Sequence, residues 1–107
     1  MIEVTDDTFE VEVINSDTPV IVDFSAGWCN PCKMMAPVLE QLSKETEGKV
    51  KIVKVDVDST RVAEKYVVRA VPTLMLFIGG EPLDTLVGAH TRSKIAAWLM
   101  SHTPVVI

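Results

Sequence analysis

A chain of 107 residues, 48% of them hydrophobic and 23% charged, suits one compact domain over residues 1–107 and is too short for a second. Fifteen acidic against ten basic side chains give a net charge of −5, which argues against nucleic acid or an acidic membrane surface as a partner. Two cysteines are too few for a disulfide-stapled scaffold and point instead to redox or metal chemistry.

The stretch Met1–Asp7 is acidic where an export signal would be basic and then apolar. The longest uncharged run, Ala70 to Gly80, falls well short of the ~20 residues that span a bilayer. A soluble, cytoplasmic protein with no membrane partner is expected. Glu10 to Asn15 is compatible with a first helix beginning near Asp6, and its pattern does not decide it. Pro19 to Phe24 is a nearly continuous β-branched run, the pattern of a strand covered on both faces, and its single charge, Asp23, is conspicuous. From about Cys29 to Glu47, Met35, Val38, Leu39 and Leu42 recur at helical spacing, with Glu40 and Lys44 paired on the polar side and Gly48 as the stop. Pro37 should kink this helix.

Val50 to Val57 reads as a second strand, with Val53, Val55 and Val57 on one face and Ile52 on the other beside Lys54 and Asp56. Asp58 or Ser59 is placed to cap a short helix ending near Tyr66. Thr73–Ile78 is a third strand, the Gly79-Gly80 turn returns Leu83–Val87 antiparallel to it, and Thr91 opens a last helix with Ile95, Trp98 and Leu99 on one face. The apolar tail Pro104–Ile107 has no clear packing partner. Strand, helix, strand, helix, hairpin, helix implies an α/β fold: a right-handed parallel crossover plus an antiparallel pair, hence a mixed sheet with helices on both faces.

Trp28-Cys29-Asn30-Pro31-Cys32-Lys33 lies where the first buried strand turns into the long helix. Free amides and the positive end of the helix dipole favour a thiolate there, so Cys29 is the more acidic cysteine. Cysteines three residues apart at a helix start face one side and are close enough to join. Zinc would need four ligands, and beyond Cys29 and Cys32 the chain offers only the remote His90 and His102; no metal is expected. A structural buried pair is the other alternative, against which Trp28, Pro31 and Lys33 favour an exposed junction.

With these residues in view, the chain resembles the thioredoxin family. The resemblance runs nearly end to end: the cysteine motif, Asp23-Phe24 just before it, Pro37 in the long helix, Val71-Pro72-Thr73, Gly79-Gly80, and Val87-Gly88-Ala89. It implies a thioredoxin fold and a protein-disulfide reductase that works through a Cys29/Cys32 disulfide with no bound cofactor. Cys29 would be the attacking thiolate and Cys32 the buried resolving thiol. Asp23 would be a buried carboxyl with raised pKa that relays protons, tuned by Lys54; from the residues alone, Asp23 is equally an aspartate satisfied by backbone amides and Lys54 a snorkelling surface lysine. Pro72 would be a cis-proline lying against the cysteines, and Trp28, Val71, Pro72, Gly88 and Ala89 would line the groove for an extended substrate segment. Met34 and Met35 read as core.

The resemblance also implies protein disulfides as substrates, electrons from NADPH through a thioredoxin reductase, and a monomer. Asn30 and Pro31 would tune the motif. Asn30 stands where the family usually has glycine, which bears on redox poise, and Ser25 where a second tryptophan is common, which bears on partner fit. Two competing functions remain at this level: a more oxidising disulfide-exchange protein, and a thioredoxin-fold binding module whose cysteines need not turn over.

Overall fold

In a computed structural model, which describes all residues 1–107, strands β1 (Ile2–Glu3), β2 (Val20–Ser25), β3 (Lys51–Asp56), β4 (Thr73–Ile78) and β5 (Glu81–Val87) form one sheet. Their order is β1-β3-β2-β4-β5, with β1, β3 and β2 parallel, β4 antiparallel to β2, and β5 antiparallel to β4. Helices α1 (Asn30–Glu45), α2 (Val62–Lys65) and α3 (Arg92–His102) connect or follow the strands. The mixed sheet expected from the element order is present, and all six residues of β2, Val20 to Ser25, are buried at its centre.

Strand alternation divides the core in two. Val20, Val22, Phe24, Val53, Val55, Met75 and Phe77 point to one face, where α2 and Phe9 cover them; Phe9, Tyr66 and Phe77 meet there with centroids 5.1–5.7 Å apart. Ile21, Ile52, Leu74 and Leu76 point to the other, beneath Met35, Leu39 and Leu42 of α1 and Ile95, Trp98 and Leu99 of α3. The predicted parity of β3 is therefore observed. Asp23 shares the face of Ile21, and the register sets it beside Lys54 on one side and Leu74 on the other. No helix is long and apolar enough to cross a membrane.

Several local expectations are corrected. Glu40 pairs with the amino group of Met1 at 3.2 Å rather than with Lys44. Helix α1 ends at Glu45, short of the expected Glu47, and holds Pro37 inside it. Met34 is 76% exposed, not core, because only Met35, Leu39 and Leu42 fall on the buried stripe. Glu10–Ile14 is a π-helical turn that buries Val13, closed by a bond from the Asn15 N–H to the Glu10 carbonyl. The C-terminal tail has partners after all, since Val105 and Ile107 pack on the α1/α3 side of the core.

Helix α2 is shorter than expected, and neither Asp58 nor Ser59 caps it. The Asp6 carboxylate does so from the far end of the sequence, accepting the backbone N–H groups of Arg61 at 2.9 Å and Val62 at 3.1 Å. A carboxylate on the first free amides of a helix is a favourable cap. Asp6→Ala is expected to lower stability by about 1 kcal/mol in chemical denaturation, with Asp6→Asn close to the unaltered chain.

Candidate active site

Strand β2 delivers the chain into Ala26-Gly27-Trp28, and Cys29 then caps α1. Its backbone is extended (φ −90°, ψ 107°), which frees its sulfur to accept the Cys32 N–H at 3.2 Å. Pro31 sits in the first turn, where a missing N–H costs nothing, and no acidic side chain there opposes the positive end of the helix. Cys29 and Cys32 are joined by a disulfide, with Cα atoms 5.3 Å apart.

Both sulfur-bearing residues are buried, Cys29 to 3% and Cys32 to 5% exposure. The expected exposed junction is thus found only around them: Trp28, Asn30, Pro31 and Lys33 face solvent, while Ala26, Val57 and Val71 pack on the pair. Three separate segments supply that cover, which is why local sequence did not suggest it.

The Trp28 indole, 68% exposed, donates its N–H to Asp58 Oδ2 at 2.8 Å. Asp58 therefore orients Trp28 instead of capping a helix. Sequence reasoning missed this role, and no local signal could have found it, since the two lie thirty positions apart. Trp28 and Val71 wall a cleft of about 190 Å³ together with Val57, Val68, Arg69 and Ala70.

The Val71–Pro72 peptide bond is cis. The buried Pro72 offers its carbonyl to the Gly88 N–H at 2.8 Å, joining the loop before β4 to the end of β5. Gly88 has φ +92°, a left-handed conformation that disfavours other residues, although a Cβ there would meet nothing closer than His90 Nε2 at 3.9 Å. Ala89 is exposed and borders a second cleft, beside Met34. Trp28 and Val71 thus border one cleft and Ala89 the other, and the Pro72–Gly88 bond links the segments that carry Val71 and Ala89.

Asp23 is 3% exposed, and its Oδ1 has no hydrogen-bond partner. Loss of solvation pushes its pKa up from 3.8 to about 6; the positive charge of Lys54 pulls the other way and is outweighed. The alternative of an aspartate satisfied by backbone amides is not what the structure contains at Oδ1. Half-buried Lys54 is its cross-strand neighbour, and no carboxylate lies within 4 Å of the ammonium. Ser25 is buried, its carbonyl accepting the Val57 N–H at 2.9 Å. The histidines are engaged away from the sulfurs, His90 with the Val87 carbonyl and His102 with Asp84, both at 2.8 Å.

A pair of cysteines able to close into a disulfide at a helix start is chemistry shared by several kinds of exchange protein, so comparison with known proteins narrows it. The family model described as Thioredoxin matches residues 1–101. Thioredoxin C-2 of Corynebacterium nephridii is 53% identical over 100 residues, 92% of this chain and 93% of that protein. Thioredoxin 1 of a Nostoc species is 48% identical over 101 residues, 94% of each, and the thioredoxin of Pyropia yezoensis is 45% identical over 98, 91% of this chain and 92% of that protein. Likeness of this extent, spanning the cysteine motif and the whole sheet, means that the chain belongs to the thioredoxin family and is a dithiol–disulfide oxidoreductase that reduces protein disulfides through Cys29 and Cys32.

Proposed function

We propose that this chain acts as a monomeric, single-domain, cytoplasmic disulfide reductase, reloaded by NADPH through a thioredoxin reductase, with Cys29 as the attacking sulfur. The observation that carries the assignment is the Cys29 sulfur at the N-cap of α1, accepting the Cys32 N–H at 3.2 Å. A sulfur so placed is the one whose thiolate is stabilised when the bridge opens.

In the proposed cycle the Cys29 thiolate attacks one sulfur of a substrate disulfide. A Cys29–substrate bond forms, and the other substrate sulfur leaves as a thiolate. Cys32 then gives up its proton to the Asp23 carboxylate, directly or through a water, and attacks the Cys29 sulfur. The Cys29–Cys32 bond forms, the mixed disulfide breaks, and the second substrate sulfur leaves as a thiolate; the substrate becomes a dithiol by taking one proton back from Asp23 and one from solvent. Two electrons have passed to the substrate and the chain is left as the disulfide. Trp28, Val71, Pro72, Gly88 and Ala89 hold the substrate segment, Lys54 biases the Asp23 proton, and Asn30 and Pro31 set how tightly the motif holds its bridge. The lone pairs of Asp23 Oδ1, free of any protein donor, support the proton-relay role.

Turnover of insulin disulfides with NADPH and thioredoxin reductase tests this reading. The unaltered chain should consume NADPH catalytically and Cys29→Ser should fall to background. Turnover by Cys29→Ser at the normal rate would sink the assignment. Activity only after chemical reduction would remove the reductase from the proposal and leave the exchange chemistry in place.

A further inference from the structure

A second cleft, of about 450 Å³, lies beside the cysteine motif between α1 and the start of α3. Its apolar wall is made by Met34, Met35, Val38 and Ala89, and its polar rim carries His90 and Lys94. No acidic side chain lines it, although acidic residues outnumber basic ones fifteen to ten in the chain as a whole. Lys94 is exposed and joins none of the ion pairs of the fold, whereas the nearby Arg92 is already neutralised by Glu45. The His90 ring faces a carbonyl, which only accepts, so Nε2 donates its proton to Val87 and Nδ1 is left free. Met34, two residues past Cys32, is 76% exposed at the cleft edge.

From this arrangement we infer that the cleft selects substrates, taking a segment that carries an acidic residue together with an apolar one close to the disulfide to be reduced. The apolar residue lies on Met34 and Val38, and the carboxylate meets Lys94. The cleft adjoins the reaction site along the chain: Met34 in its wall lies two residues past Cys32, and Ala89 follows Gly88, whose N–H is bonded to the Pro72 carbonyl. The inference rests on the dithiol cycle proposed above and adds a substrate class to it. An exposed charge pair of this kind contributes up to about 1 kcal/mol, equivalent to roughly fivefold in kcat/KM.

The test uses two disulfide-bridged peptides that are identical except for Glu or Gln beside one cysteine, reduced by the chemically pre-reduced chain. The Glu peptide should react about fivefold faster at low salt, and the preference should shrink as salt screens the contact. Lys94→Glu should abolish or reverse the preference, read as the ratio of the two peptide rates. That variant places an acid at the third position after the Thr91 cap, a favourable helix site, so folding is not at risk. Lys49→Glu, beyond the C-terminal end of α1, makes the same change in net charge and should leave the preference intact. Equal rates for both peptides, or a preference that survives Lys94→Glu, would overturn the inference while leaving the dithiol cycle standing. Failure to reduce either peptide would overturn both.

Discussion

Cys32→Ser should stop the cycle with substrate covalently attached. Cys29 retains its N-cap position and still attacks, but serine cannot displace the substrate, so a one-to-one mixed disulfide should accumulate and be visible as an added mass that dithiothreitol removes. Multiple turnover should fall by at least about a thousandfold, as expected when one member of a unit that acts together is lost. Cys29→Ser should give the same loss of turnover with no adduct. The contrast separates the two sulfurs: an adduct on the Cys29→Ser variant, or substrate release from Cys32→Ser at the normal rate, would reverse or remove the assignment.

Asp23→Asn should make the protein both more stable and slower. An aspartate whose folded-state pKa is raised from 3.8 to about 6 binds its proton more tightly folded than unfolded. Its contribution to stability is complete below pH 3.8, is lost as pH rises through about 6, and above that the buried charge costs about 3 kcal/mol. Asparagine removes that cost. The variant should therefore gain about 2–3 kcal/mol at pH 7.5 in urea denaturation, with the gain vanishing towards pH 4. At pH 7 the resolution of the mixed disulfide should slow on the order of a hundredfold, and its rise with pH around 6 should disappear. A variant equally stable at every pH would mean that Asp23 is not the desolvated acid described above. Unchanged resolution kinetics would remove it from the proton path alone.

The parts of this fold that local sequence reveals are those held by local patterns. The β-branched run of β2, the apolar stripe Met35–Leu39–Leu42, the split parity of β3 and the Thr91 cap of α3 all lie where periodicity and capping rules put them. The parts that escaped are long-range. Strand β1 is two residues long and exists because Ile2 and Glu3 pair with Val53 and Lys54. Asp6 reaches α2 across 55 positions, and Asp58 reaches Trp28 across thirty. The tail packs only because α1 and α3 present an apolar surface to it.

The site divides in the same way. Spacing and position identify Cys29 and Cys32, and the odd charge in a buried strand picks out Asp23. The roles given to Lys54, Pro72 and the groove residues came from family resemblance, since a cis bond and a cross-strand neighbour leave no mark on local sequence. The burial of Cys29 was not legible either, because Val57 and Val71, which cover it, belong to other segments.

The most direct measurement is a single turnover without any reductase: the chain, reduced and freed of reductant, is mixed with an excess of a protein disulfide, quenched with an alkylating agent and mapped by mass. One substrate disulfide should open for each chain, with Cys29 and Cys32 recovered as a bridge and two alkylated thiols on the substrate. Cysteines that remain fully alkylated in the presence of an intact substrate would contradict disulfide reduction by this pair and leave the groove as a binding surface.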